Sequence, residues 1–336
     1  MVFILRNRLF VFLVLLAEGV GSIAALSSVL PTSTRHGLFS SHVKSKTTTS
    51  QNNEMTLTYL EINTWLLSMQ GVTVLIDPLL EGPLDFGIPD LYQGKKRVVP
   101  ETGLTESLPP IDCILITQGL DDHANVRTLR KLRSLDPTVP ILASPSAKRA
   151  LKAAGFLDHE IASQVRFLYH GDETIIQPRT KLHNNNHAIQ VRATQGALVG
   201  PPWQRRENGY VLRTHDGSKS TSSLSVYIEP HVEFNELELS RLAPVDVVIT
   251  PISGQALPAF ELVHGPKDAI RLLEILRPKY IVPMQNGDID TQGPVSWLVS
   301  ELGSPDDFKR LLATYKFNSA ELVDVKPGVD TEISVT

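Results

Sequence analysis

The sequence predicts an α/β fold of four layers, an αββα sandwich in which two sheets face each other and helices cover both outer faces. Two observations predict it. Each half of the chain opens on apolar, β-rich runs, and each closes on a strand–helix–strand alternation. The halves therefore read as two copies of one plan, and residues 55–336 as one domain with internal pseudo-two-fold symmetry.

In the first half, LTYLEINTWLLSM and VTVLIDP read as strands joined by a hairpin turn at Gln70-Gly71. Leu79 to Pro110 is rich in Pro and Gly and reads as a long loop at one end of the sheet, a place where function concentrates. DCILIT is a buried strand, Asn125–Leu135 has helical spacing, VPILAS is a strand, and SAKRALKAAG is a short helix closed by Gly155. In the second half AIQVRAT, GYVLRT and LSVYIEP read as strands, FNELELSRL as a helix and DVVITP as a strand. PKDAIRLLEILRP is a helix with Pro266 near its start, KYIVPM is a buried strand, and helices are expected around 292–316.

Before the domain lies a leader. Arg6 and Arg8 precede the short apolar run FVFLVLLA, and small residues follow up to Ala24-Ala25, the layout of a signal peptide over residues 1–25. The run is too short for a comfortable membrane span, so no stable span is expected in the mature chain. Residues 26–54 are Ser/Thr-rich, basic and free of acids up to Asn53, as in an organellar transit peptide; a disordered polar linker has the same composition. Together the two segments resemble the two-part plastid leader of algae with complex plastids, except that Leu26 stands where such leaders often carry phenylalanine. A plastid destination follows, with the secretory pathway as the alternative. The single cysteine, Cys113, excludes an intramolecular disulfide, fits a reducing compartment and reads as a buried core residue. A net charge of −4 argues against a general nucleic-acid binder.

The stretch carrying chemistry is ITQGLDDH, residues 116–123. With INTWLL, VTVLIDP, VRATQG, VYIEPH and KYIVPMQNGD in this order, it resembles the metallo-β-lactamase fold superfamily, in the branch typified by L-ascorbate-6-phosphate lactonase. The stretches QGLDDH and GPPWQR are similar to a plant and algal plastid subgroup of it. The resemblance covers nearly all of 55–330 and implies a two-metal hydrolase signature, His-x-His-x-Asp-His. Here that signature is depleted. Gln118 and Leu120 stand at the first two histidine positions, about Gly196 at the third and Gln285 at the last; Asp122 and His123 match. The bridging carboxylate belongs near Glu229–His231.

Leucine cannot ligate, and an amide is a weak donor for zinc. The resemblance therefore implies at most one divalent metal, zinc, manganese or iron, drawn from Asp122, His123, Glu229, His231 and Asp288, with Asp122 and His123 as the catalytic pair. Such a site would hydrolyse a small ester, lactone or phosphoester. The alternative is a metal-free, non-catalytic member in which Gln118 and Gln285 hydrogen-bond a small anion, or which binds a protein partner. Asp121 or Asp122 also suits an ordinary helix N-cap, His123 a surface position, and Asp77 an internal buttress. In GPPWQRRENGY, Trp203 offers a flat face and Arg205 a planar cation for a small anionic substrate; a surface loop with a Glu207–Arg pair is the plainer reading.

Overall fold

The computed structural model describes residues 54–179, 187–199, 204–215, 223–258, 260–315, 317 and 320–335. The leader, Trp203 and most of the Asn-rich turn at 183–187 lie outside these residues.

Hairpin chemistry starts the first sheet. β1 (Glu54–Tyr59), β2 (Trp65–Met69) and β3 (Val72–Ile76) form an antiparallel meander in which Leu57 faces Leu67 and Leu67 faces Val74. Gln70 and Gly71 both take positive φ, 53° and 75°, as a two-residue hairpin turn with the right twist requires. After the short β4 (Gln93–Lys95) come β5 (Cys113–Ile116), β6 (Ile141–Ala143) and β7 (Val165–Phe167), each parallel to its neighbour. Helices α1 (Val126–Leu135), α2 (Lys148–Ala153) and α3 (Asp158–Gln164) bury Leu129, Leu151 and Ile161 against the outer face of this sheet.

The second half repeats the plan. β8 (Glu173–Ile176), β9 (Ala188–Gln195), β10 (Asn208–His215) and β11 (Ser225–Ile228) are antiparallel. β12 (Val247–Pro251), then β13 (Gly254–Leu257) and β14 (Phe260–Val263), precede β15 (Tyr280–Met284). β16 (Asp290–Gln292), β17 (Ser300–Leu302), β18 (Glu321–Leu322) and β19 (Asp330–Ser334) follow. The sheets run β19-β1-β2-β3-β5-β6-β7 and β8-β9-β10-β11-β12-β15-β18. Each has three antiparallel pairings followed by three parallel ones, so the expected pseudo-symmetry is real. Helices α4 (Glu236–Leu242), α5 (Pro266–Leu276) and α6 (Pro305–Thr314) cover the second sheet through Leu239, Leu273 and Phe308. Between the sheets Trp65, Leu67, Cys113, Tyr210, Ile249 and Val282 form the main core. Cys113 is buried in it, as its run predicts.

Three expectations fail. Around 292–316 only α6 is an α-helix; a turn of 3₁₀ helix and β17 precede it, and β13, β14 and β17 make a separate three-stranded sheet. The cap of α1 is Asn125, whose side chain accepts from Thr128 N, so neither Asp121 nor Asp122 caps it. Residue 54 belongs to β1 rather than to the leader segment. No helix among the described residues is long and apolar enough to cross a membrane.

Candidate functional site

Loops from the same end of both sheets converge on a buried polar cluster. The turn after β1 holds Glu61 and Ile62 at φ 66° and 58°, an unfavourable region for a β-branched residue. It is held there by the Glu61 carboxylate, which accepts from the backbone N–H groups of Arg97, Val98 and Val99 at 2.8, 3.1 and 2.7 Å. This clamp ties the long 79–110 loop to the turn and sets Asn63 into the cluster.

Asp77, at the end of β3, is wholly buried at φ 45°. It accepts from Thr117 N at 2.7 Å, Thr117 Oγ1 at 2.6 Å and His123 Nδ1 at 2.8 Å. It is the buttress expected, and it fixes the His123 ring. His123 is completely buried, which rules out a surface role. His231, just beyond β11, donates from Nδ1 to the carbonyl of Leu262 at 2.6 Å. With both Nδ1 atoms turned outward, the two Nε2 atoms face each other 3.3 Å apart. Asp122 Oδ2 lies 3.1 Å from His123 Nε2.

Amides fill the remaining space. Gln118 Nε2 is 2.6 Å from His123 Nε2 and also in close contact with His231 Nε2. Asn63 Nδ2 is 3.1 Å from His123 Nε2 and 3.3 Å from Asp122 Oδ2, and Asn286 donates to Asn63 Oδ1 at 3.2 Å. Gln118 Oε1 and Asp122 Oδ1 are buried without a hydrogen-bond partner. Asn63 and Asn286 are the site residues that sequence reasoning missed; each is an isolated polar residue next to an apolar strand, a pattern common enough to carry little signal.

Burial works against charge on His123, but Asp122 and Asp77 outweigh it and push its pKa up to about 10. Burial, with His123 opposite, pushes His231 down to about 4. Burial also opposes the charge of Asp122, and the two imidazoles overcome it to hold the carboxyl below its ordinary range. The pair is thus one cationic and one neutral imidazole beside a carboxylate, with an amide between the rings, and His123 ligates a metal only by giving up its Nε2 proton.

These atoms bear on metal binding directly. Ligands 2.0–2.1 Å from a tetrahedral metal lie about 3.3 Å from one another. The edges His123 Nε2–His231 Nε2 and His123 Nε2–Asp122 Oδ2 match that spacing, both imidazoles are oriented through Nδ1 as metal-ligating histidines are, and Asp122 keeps an unpartnered oxygen. The donor chemistry therefore fits one metal. Among the described residues no three His, Cys, Asp or Glu side chains form a ready cage, and the Gln118 amide sits between the rings.

The other sequence candidates are placed elsewhere. The Glu229 carboxylate turns away to accept from the backbone N–H groups of His231 and Glu233, and burial pushes its pKa up to about 8. Asp288 is ion-paired with Arg97 at the surface. Neither joins Asp122, His123 and His231. Arg205 lies over the Tyr169 ring, 4.9 Å from its centroid, and is not on the wall of the cleft described next; Trp203 lies outside the described residues. Gln118 is buried among the imidazoles rather than open to a substrate, whereas Gln285 is exposed on that cleft. Glu207 pairs with no arginine: it is buried and accepts from Ser144 and Ser146 at 2.7 Å each, while Arg206 pairs with Glu233. Near Gly196 the backbone is closed, since a Cβ there would come within 3.0 Å of Glu207 O.

Above the cluster opens a cleft of about 570 Å³, with Asn63, Asp122, His231 and Asn286 among its polar residues and Leu120 beside them.

Comparison with known proteins agrees with this fold. Residues 56–285 match the model of the beta-lactamase superfamily domain. A UPF0173 metal-dependent hydrolase of Pyrococcus abyssi is 27% identical over 252 residues, spanning 72% of this chain and 94% of the relative. Among solved structures, the metallo hydrolase Igni18 of Ignicoccus hospitalis superposes with a TM-score of 0.54 at 17% identity, over 84% of this chain and all of that one. A possible metal-dependent hydrolase of Veillonella parvula gives 0.54 at 18%, over 83% and 99%. At such identities the structural likeness speaks for the fold alone.

Proposed function

The chain belongs to the metallo-β-lactamase superfamily, and on that premise we propose that it is a hydrolase of a small ester, lactone or phosphoester that works with at most one divalent metal. One observation carries this reading: two buried imidazoles, each anchored through Nδ1, aim Nε2 at a shared point beside Asp122 on a cleft. His123, His231 and Asp122 would hold the metal. Its chemistry there is that of a Lewis acid that polarises the substrate's oxygen and makes water acidic enough to deprotonate near neutrality. Asp77 orients His123, the Leu262 carbonyl orients His231, and Asn63 offers an N–H donor beside the reacting group, held in place by Asn286, whose own N–H groups go to Asn63 Oδ1 and the Pro230 carbonyl. The ester and lactone classes follow the likeness to the ascorbate-phosphate lactonase branch, and the single metal follows from Gln118, Leu120 and Gly196.

Metal analysis of the purified chain, after exposure to zinc, manganese and iron, tests the reading. We expect up to one metal per chain, absent in His123→Ala together with any metal-dependent hydrolysis. Two tightly bound metals would show the ligand assignment to be wrong.

A second reading rests on Gln118. Its amide bridges the two imidazoles where a cation would sit, as in a metal-free member that binds a ligand without turning it over. A chain that takes up none of the three metals would establish it.

A further inference from the structure

The cleft has a composition that the cluster beneath it does not explain. Its walls come from the 79–110 loop on one side and from the β13–β14–β17 sheet with its following turn on the other. Leu84, Phe86 and Tyr92 line it from the loop, and Leu257, Phe260 and Val299 from the small sheet and the turn before β17. Charged groups on the lining are one base, Arg97, and three acids, Asp122, Asp288 and Glu301. Arg97 is committed: its guanidinium pairs with Asp288 and, at 2.9 Å, with Asp290. The volume, about 570 Å³, is within the range of roughly 300–1,000 Å³ usual for small-molecule sites.

We infer that the cleft takes an uncharged ligand with an apolar body and one polar head, an acyl or aryl ester or lactone, in place of the small anion expected from Arg205. The inference rests on the hydrolase reading only for the position of the head. On the cleft walls, away from any metal held by His123, His231 and Asp122, an anion would meet an acidic excess and an arginine already paired, and would lose its hydration without an ionic partner. An apolar body instead gains from burial against both walls at roughly 25 cal/mol per Å². Leu120 extends the apolar surface to the edge of the polar cluster, so the body reaches the Asn63, Asp122 and His231 side chains before the head must find donors. Within the proposed substrate class the cleft walls therefore favour a neutral ester or lactone with an apolar body.

Binding can be read apart from turnover. The full chain, freed of metal by chelation, is titrated with the neutral dye N-phenyl-1-naphthylamine, whose emission rises in an apolar site, and the dye is then displaced with methyl octanoate or octyl phosphate. Methyl octanoate should displace it at least about tenfold more effectively than octyl phosphate, a gap of about 1.4 kcal/mol. Phe260→Glu and Val299→Glu, at half-buried wall positions on different elements, should each weaken dye binding about tenfold or more while thermal melting stays near that of the parent. Equal or better displacement by octyl phosphate, or dye binding that neither folded wall variant disturbs, overturns the inference. Intact dye selectivity in a chain that takes up no metal and hydrolyses no ester sinks only the hydrolase reading.

Discussion

Gln118 Nε2 stands 2.6 Å from His123 Nε2, and the same atom touches His231 Nε2. One amide thus occupies the space between two imidazoles that would otherwise share a cation. Turned one way it donates to the lone pair of neutral His231; turned the other it accepts from His123.

Removing that amide should favour metal. Gln118→Ala is expected to tighten zinc binding by about tenfold, the equivalent of one hydrogen bond of ~1.4 kcal/mol that the metal no longer displaces. Isothermal titration of both proteins with zinc measures it. An unchanged or weaker affinity would mean that Gln118 is a ligand or a bystander rather than a competitor.

The Glu61 clamp should be worth more than a surface contact. Its carboxylate accepts from three successive backbone N–H groups, and Val99 is buried. Glu61→Ala should cost ~2–3 kcal/mol in chemical denaturation, because a charged acceptor is lost and the buried Val99 N–H is left unpaired. A loss below ~0.5 kcal/mol would show that the positive-φ turn holds itself.

Lys96 supplies a pH dependence. It is buried, donates to the Leu79 carbonyl at 2.5 Å, and burial lowers its pKa from 10.5 to about 8 against the pull of Glu61, Glu101 and Glu81. Between those two values the unfolded chain holds more protons than the folded one, so this group makes stability rise with pH from about 8 to 10.5. The total gain is on the order of 3 kcal/mol. Lys96→Met should be at least as stable as the parent near pH 7, and the difference between the two should shrink as pH rises through that window. Parallel denaturation curves at pH 7 and pH 10 decide it.

The leader should be removed. N-terminal sequencing of the native protein is expected to start between about residue 25 and residue 54. A native chain that still begins at Met1 would refute both the signal and the transit readings of this segment.

Much of the fold was legible because period and punctuation are local. Gln70-Gly71 marks its own hairpin, DCILIT and DVVITP are too apolar to be anything but buried strands, and Pro266 opens α5 where the apolar spacing begins. β19 was not legible: TEIS is too short and polar to announce a strand, and it becomes one because β1 offers it a free edge 272 residues away in sequence, Thr58 to Asp330. The sheet of β13, β14 and β17 was lost for the same reason.

At the site the division is sharper. The sequence by itself determined which donors exist: an Asp-His pair at 122–123, histidine at 231, amides at 118 and 285, and no histidine near 196. Only the tertiary structure decided which of them meet. Glu229 and His231 are two residues apart, yet the carboxylate turns into the backbone amides of His231 and Glu233 while the imidazole faces His123. Asp288 and Arg205 found partners at the surface before reaching the cluster. Asn63 joined it only because Glu61 holds a strained turn against a loop 36 residues farther on. Residue type is a property of the chain, but a side chain's direction follows from backbone dihedrals and long-range contacts, and those are settled only when the two sheets close on each other.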